Sequence, residues 1–190
     1  MRRVLFLFLP LTIFLNLSAQ ERQYSTFYNQ RVTLFEKLPV YEDDIIFMGN
    51  SITNGGEWTE LFDNKRVKNR GISGDICMGV YDRLDAIVDG RPTKLFLMIG
   101  VDDIARNTPS DTIVTHISMI LNKIKTESPN TKVYLQSILP VNDYFGMFEG
   151  HTKHWEMIRT LNESLKELSE SKDAVYVDLF THFISCENDK

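Results

Sequence analysis

Lys94 to Ile99, Lys-Leu-Phe-Leu-Met-Ile, is apolar at every position after the first, and Gly100-Val101-Asp102-Asp103 follows at once. An apolar run without alternation suits a strand buried on both faces, and such strands belong to parallel sheets with helices on either side. Other segments agree. Ile45 to Met48 is a second short apolar run of strand length, Arg66 to Asn69 reads as a weak strand, and Lys132 to Leu139 and Ala174 to Asp178 read as two more strands. Segments of helical spacing separate them. Tyr24 to Leu38 carries Phe27, Val32, Leu34, Phe35 and Leu38 and ends at Pro39. Trp58, Leu61 and Phe62 mark a short helix, and Val80, Leu84, Ile87 and Val88 share one face of another. Pro109-Ser110-Asp111 opens a helix that places Ile113, Ile117, Ile120, Leu121 and Ile124 together and stops at Pro129-Asn130. Trp155, Ile158, Leu161, Leu165 and Leu168 mark a last long one, preceded by an irregular aromatic segment from Pro140 to Gly150. Strands alternating with helices predict an α/β domain with a parallel sheet.

A chain of 190 residues suits one such domain. Its first residues are expected to stand apart from it. Arg2 and Arg3 precede an apolar run from Val4 to Leu17, and Ser18-Ala19 lead into Gln20 and Glu21. This pattern reads as an export signal, residues 1–19, in front of a domain at 20–190, and predicts a periplasmic or secreted protein; an uncleaved anchor helix is the alternative, disfavoured by length. Removing residues 1–19 takes two arginines and no acid, leaving 19 basic against 26 acidic residues, a net charge of −7. An acidic domain of this kind is a poor match for nucleic acid. The two cysteines, Cys77 and Cys186, form no zinc-like pattern.

Three expected strands end in a glycine followed by polar groups: Gly49-Asn50-Ser51, Gly71-Ile72-Ser73-Gly74-Asp75 and Gly100-Val101-Asp102-Asp103. Carboxyl ends of parallel strands share one edge of the sheet, where ligands bind. The three groups can therefore converge although they are far apart in sequence. Ser51, just past a strand where a helix begins, either caps that helix or presents its hydroxyl as a nucleophile. A nucleophile beside a glycine N–H and a side-chain donor is a layout that stabilises a tetrahedral oxyanion.

On these motifs the chain resembles the SGNH hydrolases, the GDSL-type lipase and esterase superfamily, from about Asp43 to Asp178. The resemblance implies a flavodoxin-like three-layer α/β/α sandwich with a five-stranded parallel sheet in the order 2-1-3-4-5. It implies that Ser51 is the catalytic nucleophile, and that the oxyanion hole is made by the Ser51 N–H, by Gly74 and by position 102. It also implies an ester hydrolase without metal or cofactor that removes small acyl groups, from a carbohydrate O-acetyl ester or a lysophospholipase-like substrate.

Two positions depart from the family pattern. The third-block asparagine is Asp102 here; an amide donates to an oxyanion, whereas an ionised carboxylate only accepts. The final block, aspartate-x-x-histidine, is not found before Lys190. The catalytic histidine and aspartate, and the closing helix that follows them in the family, are expected beyond Lys190, so the 190 residues by themselves are expected to be inactive. Of the four histidines, His116 reads as a solvated helix flank, His151 and His154 as exposed residues at a helix start, and His182 as a loop residue after the last strand.

The order 2-1-3-4-5 puts Cys77 and Cys186 after opposite edge strands, about 19 Å apart at ~4.8 Å per strand, beyond the ~7 Å a disulfide spans. Two free thiols are expected. Asp75, Asp102 and Asp103 together suggest a magnesium site as a weaker alternative. A non-catalytic binding module on the same fold, with Asp102 marking lost activity, competes with the esterase. A flavodoxin-like cofactor binder is disfavoured, because the first loop carries Ile52 and Asn54 rather than a run of Ser/Thr.

Overall fold

The structure, a computed structural model, describes residues 22–184. The expected export segment and Cys186 lie outside the described residues.

The elements follow one another as α1 (Thr26–Lys37), β1 (Ile45–Gly49), α2 (Ser51–Asn54), α3 (Trp58–Leu61), β2 (Val67–Gly71), α4 (Cys77–Asp82), α5 (Asp85–Val88), β3 (Lys94–Met98), α6 (Val101–Ala105), α7 (Ser110–Glu127), β4 (Lys132–Gln136), α8 (Glu149–Thr152), α9 (Trp155–Ser171), β5 (Val175–Val177) and α10 (Phe180–Phe183). All five strands are parallel, in the order β2-β1-β3-β4-β5. The α/β class and the strand order expected from the sequence are those observed.

Alternation along the strands separates two unlike faces. Ile46, Met48, Leu95, Leu97, Val133 and Leu135 point one way and are buried against α4, α5, α7 and α9. At roughly 1.5–3 kcal/mol for each large apolar side chain removed from water, this is the main source of stability. On the other face Phe47, Phe96 and Tyr134 stack in a row across three strands, with ring centroids 4.7 and 4.4 Å apart. Trp58 lies over Phe47 at 4.5 Å. This face is thinly covered. Phe96 and Tyr134 stay half-buried, and a groove of about 590 Å³ runs over Phe47, Phe96, Met98, Leu179 and Phe183. The expectation that β3 is buried on both faces therefore holds on one face only.

The helix expected to carry Val80, Leu84, Ile87 and Val88 is two helices, α4 and α5, interrupted at Arg83. The apolar spacing survives the break, and all four residues are buried. The break places the Arg83 guanidinium inside the protein, where it donates to Asp75 (2.8 Å), to the Arg70 carbonyl (2.8 Å) and to the Gly49 carbonyl (3.3 Å). One side chain thus ties the ends of β1 and β2 to the loop after β2.

Register brings the strand ends level. Gly49 lies opposite both Gly71 and Met98, so the three polar motifs leave one edge of the sheet together. Glycine is required at two of these ends by space alone. A Cβ on Gly49 would collide with the Met98 carbonyl and the Thr53 hydroxyl, and one on Gly71 would collide with the backbone of Asn54.

Candidate active site

The cap of α2 is Asn50, whose Oδ1 accepts from the Ile52 N–H at 3.2 Å. Ser51 is the first helical residue, and it is exposed. The capping alternative thus passes to its neighbour. Among the described residues neither the Ser51 hydroxyl nor its N–H makes a hydrogen bond, as befits the first turn of a helix, whose N–H groups have no intrahelical partner.

Gly74 sits in the loop between β2 and α4 at φ +77°, and a Cβ there would meet nothing within 4 Å. Its glycine serves the backbone conformation, which costs other residues about 1–2 kcal/mol. The loop is held from three sides. Arg106 Nη2 donates to the Gly74 carbonyl (2.9 Å), Ser73 Oγ donates to Asn54 Oδ1 (3.0 Å), and Asp75 pairs with Arg83. The Gly74 N–H has no partner among the described residues. Two backbone donors, on Ser51 and Gly74, are therefore left over at one edge of the sheet.

Asp102, near the start of α6, is buried, and both its oxygens are engaged. Oδ2 accepts from Asn50 Nδ2 at 2.8 Å, and Oδ1 lies 3.2 Å from His151 Nε2. His151 comes from α8, in the connection after β4. Gly150 allows α8 to approach α6, since a Cβ there would sit 3.2 Å from the Ala105 carbonyl. Next to this contact, His154 Nε2 lies 3.0 Å from Asn107 Oδ1.

The expectation of two exposed helix-start histidines is thus revised for His151, whose side chain is only 26% exposed and is paired with a carboxylate. No local pattern signalled this pairing, because the two residues are 49 positions apart. His116 is half-buried rather than solvated, with its Nδ1 shielded and without a partner. His182 is exposed on α10.

The remaining carboxylates are each engaged separately. Asp75 is fully buried on Arg83, and burial pushes its carboxyl up to about 6 although the guanidinium opposes this. Asp103 accepts from the Cys77 N–H at 3.0 Å, capping the start of α4, and burial raises it as well. Burial likewise pushes the free Cys77 thiol well up. Asp75, Asp102 and Asp103 thus face different partners. Among the described residues no group of three His, Cys, Asp or Glu side chains could hold a metal ion.

A parallel 2-1-3-4-5 sheet whose first three strand ends carry an exposed serine, a positive-φ glycine and a buried acid belongs to the class of doubly wound α/β folds whose sites lie at the carboxyl ends of the strands. The model of the GDSL-like Lipase/Acylhydrolase family matches residues 47–190, and the chain belongs to that family. Among solved structures, one from Streptococcus pneumonia, provisionally described as a platelet activating factor, is 27% identical with a TM-score of 0.75, over 84% of this chain and 78% of that one. A GDSL-like lipase from Bacteroides thetaiotaomicron is 23% identical with a TM-score of 0.71, over 84% and 81%. An acetylxylan esterase from Geobacillus stearothermophilus is 16% identical with a TM-score of 0.60, over 76% and 79%. The last two likenesses concern the fold. No curated protein matches the chain.

Proposed function

We propose that the protein is an exported serine esterase that transfers acyl groups through Ser51. The observation that carries this reading is the division of labour at the end of β1. Asn50 takes the cap of α2, and Ser51 is left exposed with an unpartnered hydroxyl at the sheet edge. Attack of Ser51 Oγ on an ester carbonyl moves the carbonyl electron pair onto oxygen, where the N–H groups of Ser51 and Gly74 are the available donors. Collapse of the tetrahedral species expels the alcohol and leaves an acyl-serine, which water hydrolyses. Family membership supports ester hydrolysis, and the acetylxylan esterase among the structural neighbours makes small acyl groups on carbohydrate a reasonable substrate class, beside a lysophospholipase-like one. Export rests on the basic and apolar pattern of residues 1–19. No helix among the described residues is long and apolar enough to cross a membrane.

A fluorophosphonate probe tests the nucleophile. It is expected to label the natural full-length protein at Ser51, and Ser51→Ala is expected to abolish labelling. Equal labelling of the variant would remove the reading. The second reading, a binding module on the same fold, is favoured by the carboxylate of Asp102 where the family has an amide. It predicts a folded wild-type protein that no such probe labels.

A further inference from the structure

We infer that the small apolar hollow beside Ser51, where β1, β3 and β4 end, is the acyl pocket of the site, that it takes acyl groups of about two to four carbons, and that Ile52, Met98 and Leu139 form the wall that limits them. The inference rests on the acyl-transfer reading above and deepens it to the length of the acyl group.

The hollow, about 110 Å³, lies among Ile52, Met98, Val101, Ile138, Leu139 and Val141, and Asn50 is the one polar side chain among the described residues that line it. Asn50 has no polar group to spare for it, because Nδ2 donates to Asp102 and Oδ1 accepts from the Ile52 N–H. Asn50 and Ile52 flank Ser51 in the chain, so an acyl group carried on Ser51 has the hollow beside it. Ile138 is fixed in place by two devices. Gly100, at φ +126°, lacks the Cβ that would sit 2.8 Å from Ile138 Cδ1, and so lets Ile138 close against the end of β3. Asn162, buried on α9, holds both backbone groups of Ile138, accepting from its N–H at 2.8 Å and donating to its carbonyl at 2.9 Å. A segment outside the sheet is thereby held in one position. Apolar walls whose neighbouring polar groups are already satisfied receive an apolar group, and leave the polar alcohol of an ester to the open edge.

Size sets the chain length. At roughly 30 Å³ for each water-sized group, the hollow holds about four. Acetyl to butyryl groups fit, whereas a chain of about a dozen carbons needs about three times the room. Such room exists next door, in the groove of about 590 Å³ over Phe47, Phe96 and Phe183. Ile52, Met98 and Leu139 line both spaces and stand between them. A short acyl group stays on the near side of this wall, and a fatty one has to breach it. The hollow therefore favours the small-acyl class over the lysophospholipase-like one.

The test uses the natural full-length chain with p-nitrophenyl acetate, butyrate and octanoate, read as ratios of kcat/KM. The octanoate value is expected to lie about 10-fold or more below the butyrate value, since methylenes that an apolar pocket cannot seat cost discrimination of this order. Leu139→Ala is expected to open the hollow toward the groove and to raise the octanoate-to-butyrate ratio by about 10-fold or more. Val141→Phe is expected to fill the hollow and to lower the butyrate-to-acetate ratio by a similar factor. A ratio between substrates is not moved by a general loss of folded protein, and cooperative thermal unfolding checks the fold of each variant. If octanoate is the best ester of the wild type, or if either variant leaves its ratio unchanged, the hollow is not the acyl pocket, while labelling of Ser51 by a fluorophosphonate keeps the acyl-transfer reading in place. A folded wild type that is neither labelled nor turns over any of the three esters overturns both.

Discussion

The side-chain amide of Asn50 donates to the carboxylate of Asp102 across 2.8 Å, joining the end of β1 to the start of α6. The same Asn50 caps α2 through its Oδ1. One residue therefore starts the helix that bears Ser51 and holds the acid next to it. The amide must be oriented with nitrogen toward Asp102 and oxygen toward the Ile52 N–H, since each partner accepts only one end of it.

Replacing Asn50 removes both bonds. Asn50→Ala is expected to lower stability by about 2–4 kcal/mol, the sum of a lost cap and of a buried carboxylate oxygen left without its donor. Urea unfolding followed by circular dichroism measures this, with an unchanged slope showing that the loss is one of stability. Asn50→Asp is expected to be worse near neutral pH, because it sets two carboxylates against each other, and to recover on acidification as one of them is protonated.

The Arg83–Asp75 pair is buried on both sides and joins three segments. Arg83→Met is expected to destabilise by about 3–5 kcal/mol, since it strands a buried carboxylate. The double variant Arg83→Met with Asp75→Asn is expected to lose less than the single arginine change, because no uncompensated charge remains. A double variant that loses as much as the sum of its parts would mean that the two residues act independently.

Asp75 also makes stability depend on pH in a definite direction. Its folded carboxyl is raised by burial to about 6, above the ordinary value near 3.9 in an unfolded chain. Between those values the folded state binds the proton more tightly. The contribution of this group is therefore fully present below about pH 4 and is lost as pH rises through about 6. Asp75→Asn is expected to remove this segment of the stability profile. The check is the difference in thermal midpoint between wild type and variant at pH 4, 5, 6 and 7. A constant difference would rule out the raised carboxyl.

Gly71 and Gly74 are predicted to respond differently to alanine. At Gly74 the space is open and only the positive φ is strained, so Gly74→Ala is expected to fold with a loss of about 1–2 kcal/mol. At Gly71 the added methyl would press on the backbone of Asn54, which cannot move without displacing α2. Gly71→Ala is therefore expected to fold poorly or to shift Ser51, seen as loss of cooperative unfolding or as slow fluorophosphonate labelling. Similar behaviour of the two variants would show that α2 yields to the methyl.

Much of this protein was determined locally and could be read from its residues. Apolar runs that stop at Gly49 and Gly100 define strands whose ends carry polar groups, and the spacing of Ile113, Ile117, Ile120 and Ile124 defines α7, because strand and helix periodicities are short-range. The parallel register then follows from alternation with helices, and with it the meeting of the three motifs at one edge. What only the tertiary structure decided is where side chains from distant segments find partners. The pairing of His151 with Asp102 depends on how α8 rests on α6, and α8 comes from an aromatic segment with no periodicity to announce it. Arg83 interrupts a helix to reach Asp75 and the ends of two strands, a gain visible only once those strands are side by side. The unequal cover of the two sheet faces is decided in the same way. Apolar residues alternate on both sides of the strands, but α4, α5, α7 and α9 bury one side, and Phe47, Phe96 and Tyr134 are left to stack with Trp58 under an open groove. Hydrophobic spacing says which residues seek burial; it cannot say which of them a neighbouring element will reach.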